Sequence, residues 1–231
     1  MKNSTIQKDE WLTGLMGCDA YHLSGKLNDF NEVMLPESRS FVDVKVDVNR
    51  IISLMSLQNK GFRVVDTNVQ LLRRADTMDI DPSQCRFANE SDYSEVCRIA
   101  GSAFTKSRFH LDPLISPEIA NFVKREWAGN FFKGKRGEWM IVAEIEGKVV
   151  GFLQVLKTPD SIVIDLIAVQ GNAQGKGIAS SMVSFANKVC LSRPYKILVG
   201  TQISNLPSLA FYTKMGFRIV SSEYVLHLHQ Q

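Results

Sequence analysis

The stretch that most restricts how this chain can fold runs from Asp165 to Ala179: Asp-Leu-Ile-Ala-Val-Gln-Gly-Asn-Ala-Gln-Gly-Lys-Gly-Ile-Ala. Its first part is apolar and β-prone, its middle carries glycines at 171, 175 and 177, and its end opens a helix on small residues. A buried strand that runs through a loop into a helix requires a sheet with a helix packed on it, an α/β arrangement. Glycine lets such a loop adopt dihedrals closed to other residues and expose several backbone N–H groups together. The helix N-terminus adds partial positive charge at the same place, so a diphosphate is the natural guest. A plain tight strand-to-helix connection would use the same glycines, and the segment alone leaves both readings open. No Gly-x-x-x-x-Gly-Lys-Ser/Thr is present and no Gly-x-Gly-x-x-Gly opens the helix, which sets nucleotide hydrolysis and nicotinamide binding aside.

The rest of the chain fits the same class. From Cys85 the pattern reads β-α-α-β-β-β-α-β-α-β: a short strand at Cys85–Ala88, a helix from Asp92 to Phe104 capped by Ser91, and a second helix from Pro117 to Phe132. A hairpin (139–144 and 149–156) turning at Glu146-Gly147-Lys148 follows, then a strand from Ser161 to Val169 and a helix from Ile178 to Val189. A strand from Tyr195 to Thr201, a helix from Pro207 to Met215 and a closing strand from Phe217 to His229 complete it. This is a mixed sheet with flanking helices, not a bundle or a sandwich. Upstream, Phe41 to Val48 alternates at period two. Asn49 is placed to cap a helix whose apolar face would be Ile51, Ile52, Leu54, Met55 and Leu57, and Gly61 to stop it before a strand or strand pair at 62–71. Ser107 to Pro113 reads as a break between helices. The polar run Arg73 to Ser83, with Asp81-Pro82, predicts a boundary between a small N-terminal α/β subdomain (1–80) and the main domain (81–231).

Composition narrows the partners. The net charge of +3 is mild and the basic residues are dispersed, which disfavours nucleic acid. No apolar run approaches the roughly 20 residues that span a bilayer, and Met1 to Trp11 has no signal-like apolar core, so no membrane partner and a cytoplasmic location are expected. Cys18, Cys85, Cys97 and Cys190 form no Cys-x-x-Cys pair and no zinc-type cluster. They read as reduced, mostly buried thiols, with no metal expected.

Gln174-Gly175-Lys176-Gly177-Ile178-Ala179 matches the Gln/Arg-x-x-Gly-x-Gly/Ala signature of the GNAT acetyltransferases, after a Leu-x-Ala-Val strand as in that family. Asn205-Leu206-Pro207-Ser208-Leu209-Ala210-Phe211-Tyr212-Thr213-Lys214-Met215-Gly216-Phe217 resembles the family's Asn-x-x-Ser/Ala-x-x-x-Tyr-x-x-x-Gly-Phe segment. The resemblance implies a GNAT fold with a splayed strand pair and acetyl-CoA as co-substrate. Its pyrophosphate would lie on the amides of Asn172, Gln174, Gly175, Lys176, Gly177, Ile178 and Ala179, and its pantetheine beside Ile167, Ala168 and Val169. Asn205 would hold the pantetheine arm, and Tyr212 would stand near the sulfur. Those residue types suit the chemistry independently. Attack of an amine on a thioester makes an oxyanion, which needs an N–H donor, and expels a thiolate, which a tyrosine hydroxyl can protonate.

Phe41 to Val46, Gly61 to Thr67, Ser107 to Pro113 and Tyr224 to Leu228 are similar to the dTDP-fucosamine acetyltransferase family. That similarity implies an acceptor that is a nucleotide-linked 4-amino-4,6-dideoxy sugar, a small-molecule amine. Arg108, His110 and Asp112 are the candidate acceptor contacts, an Arg being suited to phosphate. Against this stands a framework in which Arg108 bridges Asp112 and His110 caps a helix. Asp165 is the candidate proton acceptor or water-orienting group, with a fixed hydrogen bond as its plainer role. His227 and His229 read as half-exposed strand residues. The cofactor motifs equally allow acetylation of a protein N-terminus, a lysine or a polyamine, and a non-enzymatic acyl-CoA-binding module is the third reading. A homodimer is one assembly open to such a chain.

Overall fold

A break in side-chain alternation on β8 and one borrowed strand shape the sheet that carries the site. The computed structural model describes residues 4–27, 38–190 and 196–230, without the side chain of Cys190; the strand start expected at Tyr195 lies outside them. The N-terminal part holds β1 (Thr5–Lys8), α1 (Glu10–Met16), β2 (Asp19–Ser24), β3 (Ser40–Asp47), α2 (Ile51–Asn59) and β4 (Arg63–Arg74). It is followed by β5 (Cys85–Phe87), α3 (Tyr93–Ala103), α4 (Arg108–Leu111), α5 (Pro117–Phe132), β6 (Trp139–Ile145), β7 (Lys148–Lys157) and β8 (Ser161–Val169). The chain continues with α6 (Ile178–Cys190), β9 (Lys196–Gln202), α7 (Leu206–Lys214) and β10 (Arg218–Gln230).

Among the described residues the strands form one mixed sheet, ordered β1-β2-β3-β10-β4-β9-β8-β7-β6-β5. β4 comes from the N-terminal part yet lies between β9 and β10, antiparallel to both. The expected boundary near residue 80 thus falls between strands of a single hydrogen-bonded sheet. α6 and α7 cover one face through Ile178, Met182, Val183, Ala186, Tyr212 and Met215, packed on Val69, Leu71, Ile162, Ile164 and Val199. α3 and α5 cover the other through Val96, Ile99, Ala100 and Ala128 against Met140, Phe152, Leu166 and Ala168. On that second face α1, α4 and α5 close over β2 and β3, with Leu12, Phe109, Ala120 and Val123 meeting Ala20 and Phe41.

Several local expectations are corrected. β1, α1 and β2 carry no pattern strong enough to be read, because each is short and set by tertiary pairing. Asp9 caps α1, its side chain accepting from Leu12 N at 2.9 Å, and Gly17 closes it in the left-handed region. The apolar face expected for α2 is mostly outside: Ile51, Ile52 and Met55 are exposed, and only Ser53 and Leu57 are buried. Asn49 does not cap α2; its backbone and side-chain nitrogens donate to Asp47 instead. Asn89 rather than Ser91 makes the capping box, around a 3-10 turn at Glu90–Asp92 that leads into α3. The presumed break at 107–113 contains the short helix α4.

Candidate functional site

β8 follows β7 in antiparallel register except at one place: Val155 faces Ile164, Gln154 faces Leu166, and Asp165 is the extra residue of a bulge. The bulge shifts the side-chain phase. Ile162 and Ile164 face the α6 core, whereas Leu166 and Ala168 face α3 and α5. β8 also pairs with β9 in parallel, but only over Ser161–Ile164 against Lys196–Val199. Beyond that point β9 stays with β4, ending at Gln202 opposite Asn68, while β8 stays with β7 to Val169. The strands therefore part into a wedge, leaving the 165–169 edge of β8 without a β9 partner. An extended, amide-bearing arm can pair there as an added strand.

At the end of that edge a 3-10 turn (Gly171–Ala173) leads into the helix α6. Gly175 and Gly177 have φ of 76° and 79°, where a side chain would be strained, whereas Gly171 has no positive φ. Ser181 N donates the first helical bond, to Gly177 O, so the amides from Gly175 to Ser180 are open for an anion, whereas those of Ala173 and Gln174 are taken by Gln170 O and Gly171 O. No acidic residue lies in the first turn of α6 to oppose one. Gln174 folds back, its Nε2 donating to Val169 O at 3.1 Å, and ties the loop to the strand. Asn172, Gly175, Lys176 and Gly177 are exposed, Ala179 is partly so, and Ile178 is buried in the core.

α7 borders the wedge from the α6 side. Asn205 is its N-cap, accepting from Ser208 N at 3.4 Å, and its Nδ2 lies 3.5 Å from Thr201 Oγ1 on β9. Both distances are long, so the amide is loosely held beside the strand. Tyr212 is only 3% exposed, edge-on to Phe211 and Phe217. Burial pushes its phenol above the ordinary value, which keeps the proton on the oxygen.

The opposite face of the wedge differs from the expectation. Asp165 is not a free base: its carboxylate accepts from Trp127 Nε1 at 2.9 Å, from Arg136 Nε and Nη2 at 2.7 Å each, and from Gln154 Nε2 at 3.2 Å. Arg108 does not bridge Asp112 but pairs with Asp43 on β3, its guanidinium 4.7 Å from the Phe109 ring centroid. His110 does not merely cap a helix; its Nδ1 is 2.6 Å from Ser107 Oγ and its Nε2 3.0 Å from Asn121 Oδ1. Asp112 accepts at the same Oδ2 from His227 Nδ1 at 2.7 Å and His229 Nε2 at 2.8 Å. His227 is 2% exposed, not half-exposed as expected, because α4 closes over the end of β10. Of the three expected acceptor contacts, Arg108 alone lines a cleft of about 330 Å³, together with Trp11, Trp127, Asn130, Lys135 and Arg136. His110 and Asp112 have their polar atoms committed to the framework.

One group was missed in the sequence. Val69 and Leu71 of β4 point into the α6–α7 core, so by alternation Asp66 points to the α4–α5 face. The next residue, Thr67, accepts from Ile203 N at 2.8 Å just past the end of β9, which sets Asp66 by the mouth of the wedge. Its Oδ1 accepts from Thr67 N at 2.7 Å, while its Oδ2 is buried without a partner. Burial pushes its carboxyl up to about 6. An Asp in an otherwise apolar-polar strand carries no signal of this until the strand's position is known.

A wedge between two strands of a mixed sheet, followed by a glycine loop on a helix N-terminus, defines the class of acyl-CoA-type transferase folds. The chain belongs to the acetyltransferase (GNAT) family, whose model matches residues 97–217. It is 34% identical over 138 residues to the spore coat polysaccharide biosynthesis protein SpsD of Bacillus subtilis (strain 168), across 59% of this chain and 47% of that protein. It is 35% identical over 79 residues to the streptothricin acetyltransferase of Escherichia coli, across 33% of this chain and 45% of that one. The chain thus spans about half the length of the curated relatives it matches. Among solved structures, a GCN5-related N-acetyltransferase from Sphaerobacter thermophilus superposes with a TM-score of 0.64 at 12% identity, covering 99% of this chain and 77% of that one. A conserved protein of unknown function from Staphylococcus epidermidis gives 0.65 at 12% identity, covering 91% and 84%. At such identities the likeness is one of fold. No helix among the described residues is long and apolar enough to cross a membrane.

Proposed function

We propose that the chain transfers the acetyl group of acetyl-CoA to the amine of a nucleotide-linked amino sugar, of the 4-amino-4,6-dideoxyhexose type. The observation that carries the transfer is the β8–β9 wedge with its bulge at Asp165, open beside the glycine loop. The diphosphate of CoA would lie on the amides from Gly175 to Ala179, and pantetheine would pair with the freed edge at Ile167, Ala168 and Val169, beside Asn205. The acceptor reading is supported by the likeness to a polysaccharide biosynthesis protein and by a cleft that offers two tryptophans beside Arg108, Lys135 and Arg136. Aromatic faces suit sugar and base rings, and guanidinium and ammonium groups suit phosphates.

The sheet separates the two proton transfers. The acceptor approaches from the α5 face, where Asp66 takes the proton that an ammonium must lose before it can attack. The amine nitrogen bonds to the thioester carbon, and backbone N–H groups of the β8 edge stabilise the oxyanion. Collapse breaks the C–S bond, Tyr212 on the α7 face gives its proton to the departing thiolate, and the second proton, lost from the nitrogen of the adduct, returns through solvent to the tyrosinate. The products are the N-acetyl sugar and CoA. Asp165 acts here as a positioning residue, holding Arg136 and Trp127 over the bulge.

Thiol release from acetyl-CoA against a panel of amines tests the proposal. Fast release with nucleotide-linked 4-amino sugars is expected; release only with peptides or polyamines would overturn the acceptor assignment, and a rate that no amine raises above the amine-free background would overturn the transfer itself.

A further inference from the structure

Lys124 of α5 makes no ion pair among the described residues, although the Asp165 carboxylate is near enough to attract it. Its Nζ lies 5.0 Å from the ring centroid of Phe104 and 4.8 Å from that of Trp127. The same indole carries Arg136 at 4.9 Å and donates to Asp165, so Trp127 fixes Lys124 beside the bulge of β8. Three neighbouring cations are paired, Arg108 with Asp43, Arg136 with Asp165 and Lys133 with Glu126, whereas Lys135 of the cleft has no ion pair among the described residues. Among the described residues no carboxylate lies within ion-pair distance of Lys124. Burial, followed by the positive charges of Arg108 and Arg136 and against the attraction of Asp165, brings its amine down to about 8, so near neutrality it remains mostly charged. A half-buried ammonium held on two aromatic faces and repelled by two guanidiniums is unfavourable until an anion arrives.

We infer that Lys124 is a specificity-determining residue that binds an oxyanion of the acceptor, a phosphate oxygen of the nucleotide-linked sugar. This rests on the acceptor proposed above. A lone ammonium between rings selects charge without imposing the two-pronged geometry of an arginine, which suits one oxygen of a flexible diphosphate.

The test compares two acceptors, the nucleoside-diphosphate-linked 4-amino sugar and its uncharged methyl glycoside, in wild type, Lys124→Met and Lys124→Arg. A hydrogen bond to a charged group contributes about 1.5–3 kcal/mol, so the preference of Lys124→Met for the charged acceptor, as a ratio of kcat/KM values, should fall roughly 10–100-fold. Lys124→Arg should restore part of it. Equal losses on both acceptors would reduce Lys124 to a structural residue. A second measurement does not depend on turnover: with CoA saturating the glycine loop, thymidine diphosphate is titrated by calorimetry. Binding at least tenfold weaker in Lys124→Met supports the inference; equal binding, or none in wild type, overturns it. If wild type acetylates neither sugar, the acceptor proposal fails by itself, and the titration still decides whether Lys124 holds a phosphate.

Discussion

Tyr212 and Asp66 face opposite sides of the wedge and start in opposite protonation states, and this makes their roles separable. Burial keeps the tyrosine protonated, as an acid must be, and pushes Asp66 up to about 6, close enough to neutrality to pass a proton on. General acid and base groups contribute about 10²–10⁴-fold. Tyr212→Phe should therefore lower kcat by at least about 10²-fold while leaving the KM for acetyl-CoA nearly unchanged, since the ring packing is kept. Steady-state kinetics check this, and unchanged turnover would remove Tyr212 from the acid role. For Asp66 the expected signature is in the pH profile. In wild type kcat/KM for the amine should rise with pH through about 6 as the carboxyl ionises. In Asp66→Asn that limb should disappear together with most of the activity; a limb that persists in the variant would assign it to another group.

At the scale of elements, the loop between β8 and α6 divides its glycines by function. Gly175 and Gly177 have positive φ, so an alanine at either should cost about 1–2 kcal/mol of local strain and tilt the amides that await the diphosphate. Gly171 has no positive φ, and a methyl group there meets nothing within 4 Å. Gly177→Ala is expected to weaken CoA binding by tenfold or more, and Gly171→Ala by no more than about twofold. Calorimetric titration of both variants with CoA measures the difference; equal weakening would mean that space rather than backbone conformation governs the loop. These elements were legible in the sequence because their chemistry is local: glycine spacing, the Asn205 cap and the apolar run of β8 all lie within a few residues. The bulge at Asp165 was not. Alternation predicts one face per residue parity, and a single inserted residue reverses that parity without leaving a mark in composition. α2 misled for the complementary reason, since Ile51, Ile52 and Met55 give it an apolar face that the fold does not bury.

Across the whole molecule, the N-terminal part is bound to the rest through β4 in the middle of the sheet and through β3 paired on β10, and the end of β10 is itself held by the contact of Asp112 with His227 and His229 beneath α4. The role of these histidines was hidden in the sequence because their partner lies 115 residues away, beyond any spacing argument. That contact predicts an acid-sensitive fold. Burial holds His227 down to about 4, against an ordinary value near 6.5. Below about 6.5 the unfolded chain takes up a proton that the folded one refuses, so stability is full above that pH and falls as pH drops towards 4. Burial, followed by nearby positive charges (Arg108 and Lys45 at His22, Lys124 at His110), lowers those two histidines as well, although the Asn121 bond opposes it at His110. Burial alone would raise the Asp112 carboxyl, but the bonds from both histidines hold it well below the usual range. Its contribution is thus kept until the pH falls beneath the ordinary carboxylate value near 3.9. Asp66 acts with the opposite sign: its raised carboxyl favours the folded state at low pH and loses that advantage as pH rises from about 3.9 to 6. Between pH 4 and 6 the two effects oppose each other. Asp66→Asn removes the opposing one, so its melting temperature should fall more steeply on acidification than that of wild type, whereas His227→Gln should be destabilised at neutral pH yet show a flatter slope. Thermal unfolding of the three proteins from pH 4 to 8 decides the matter, and parallel curves would show that neither group governs the acid response of the fold.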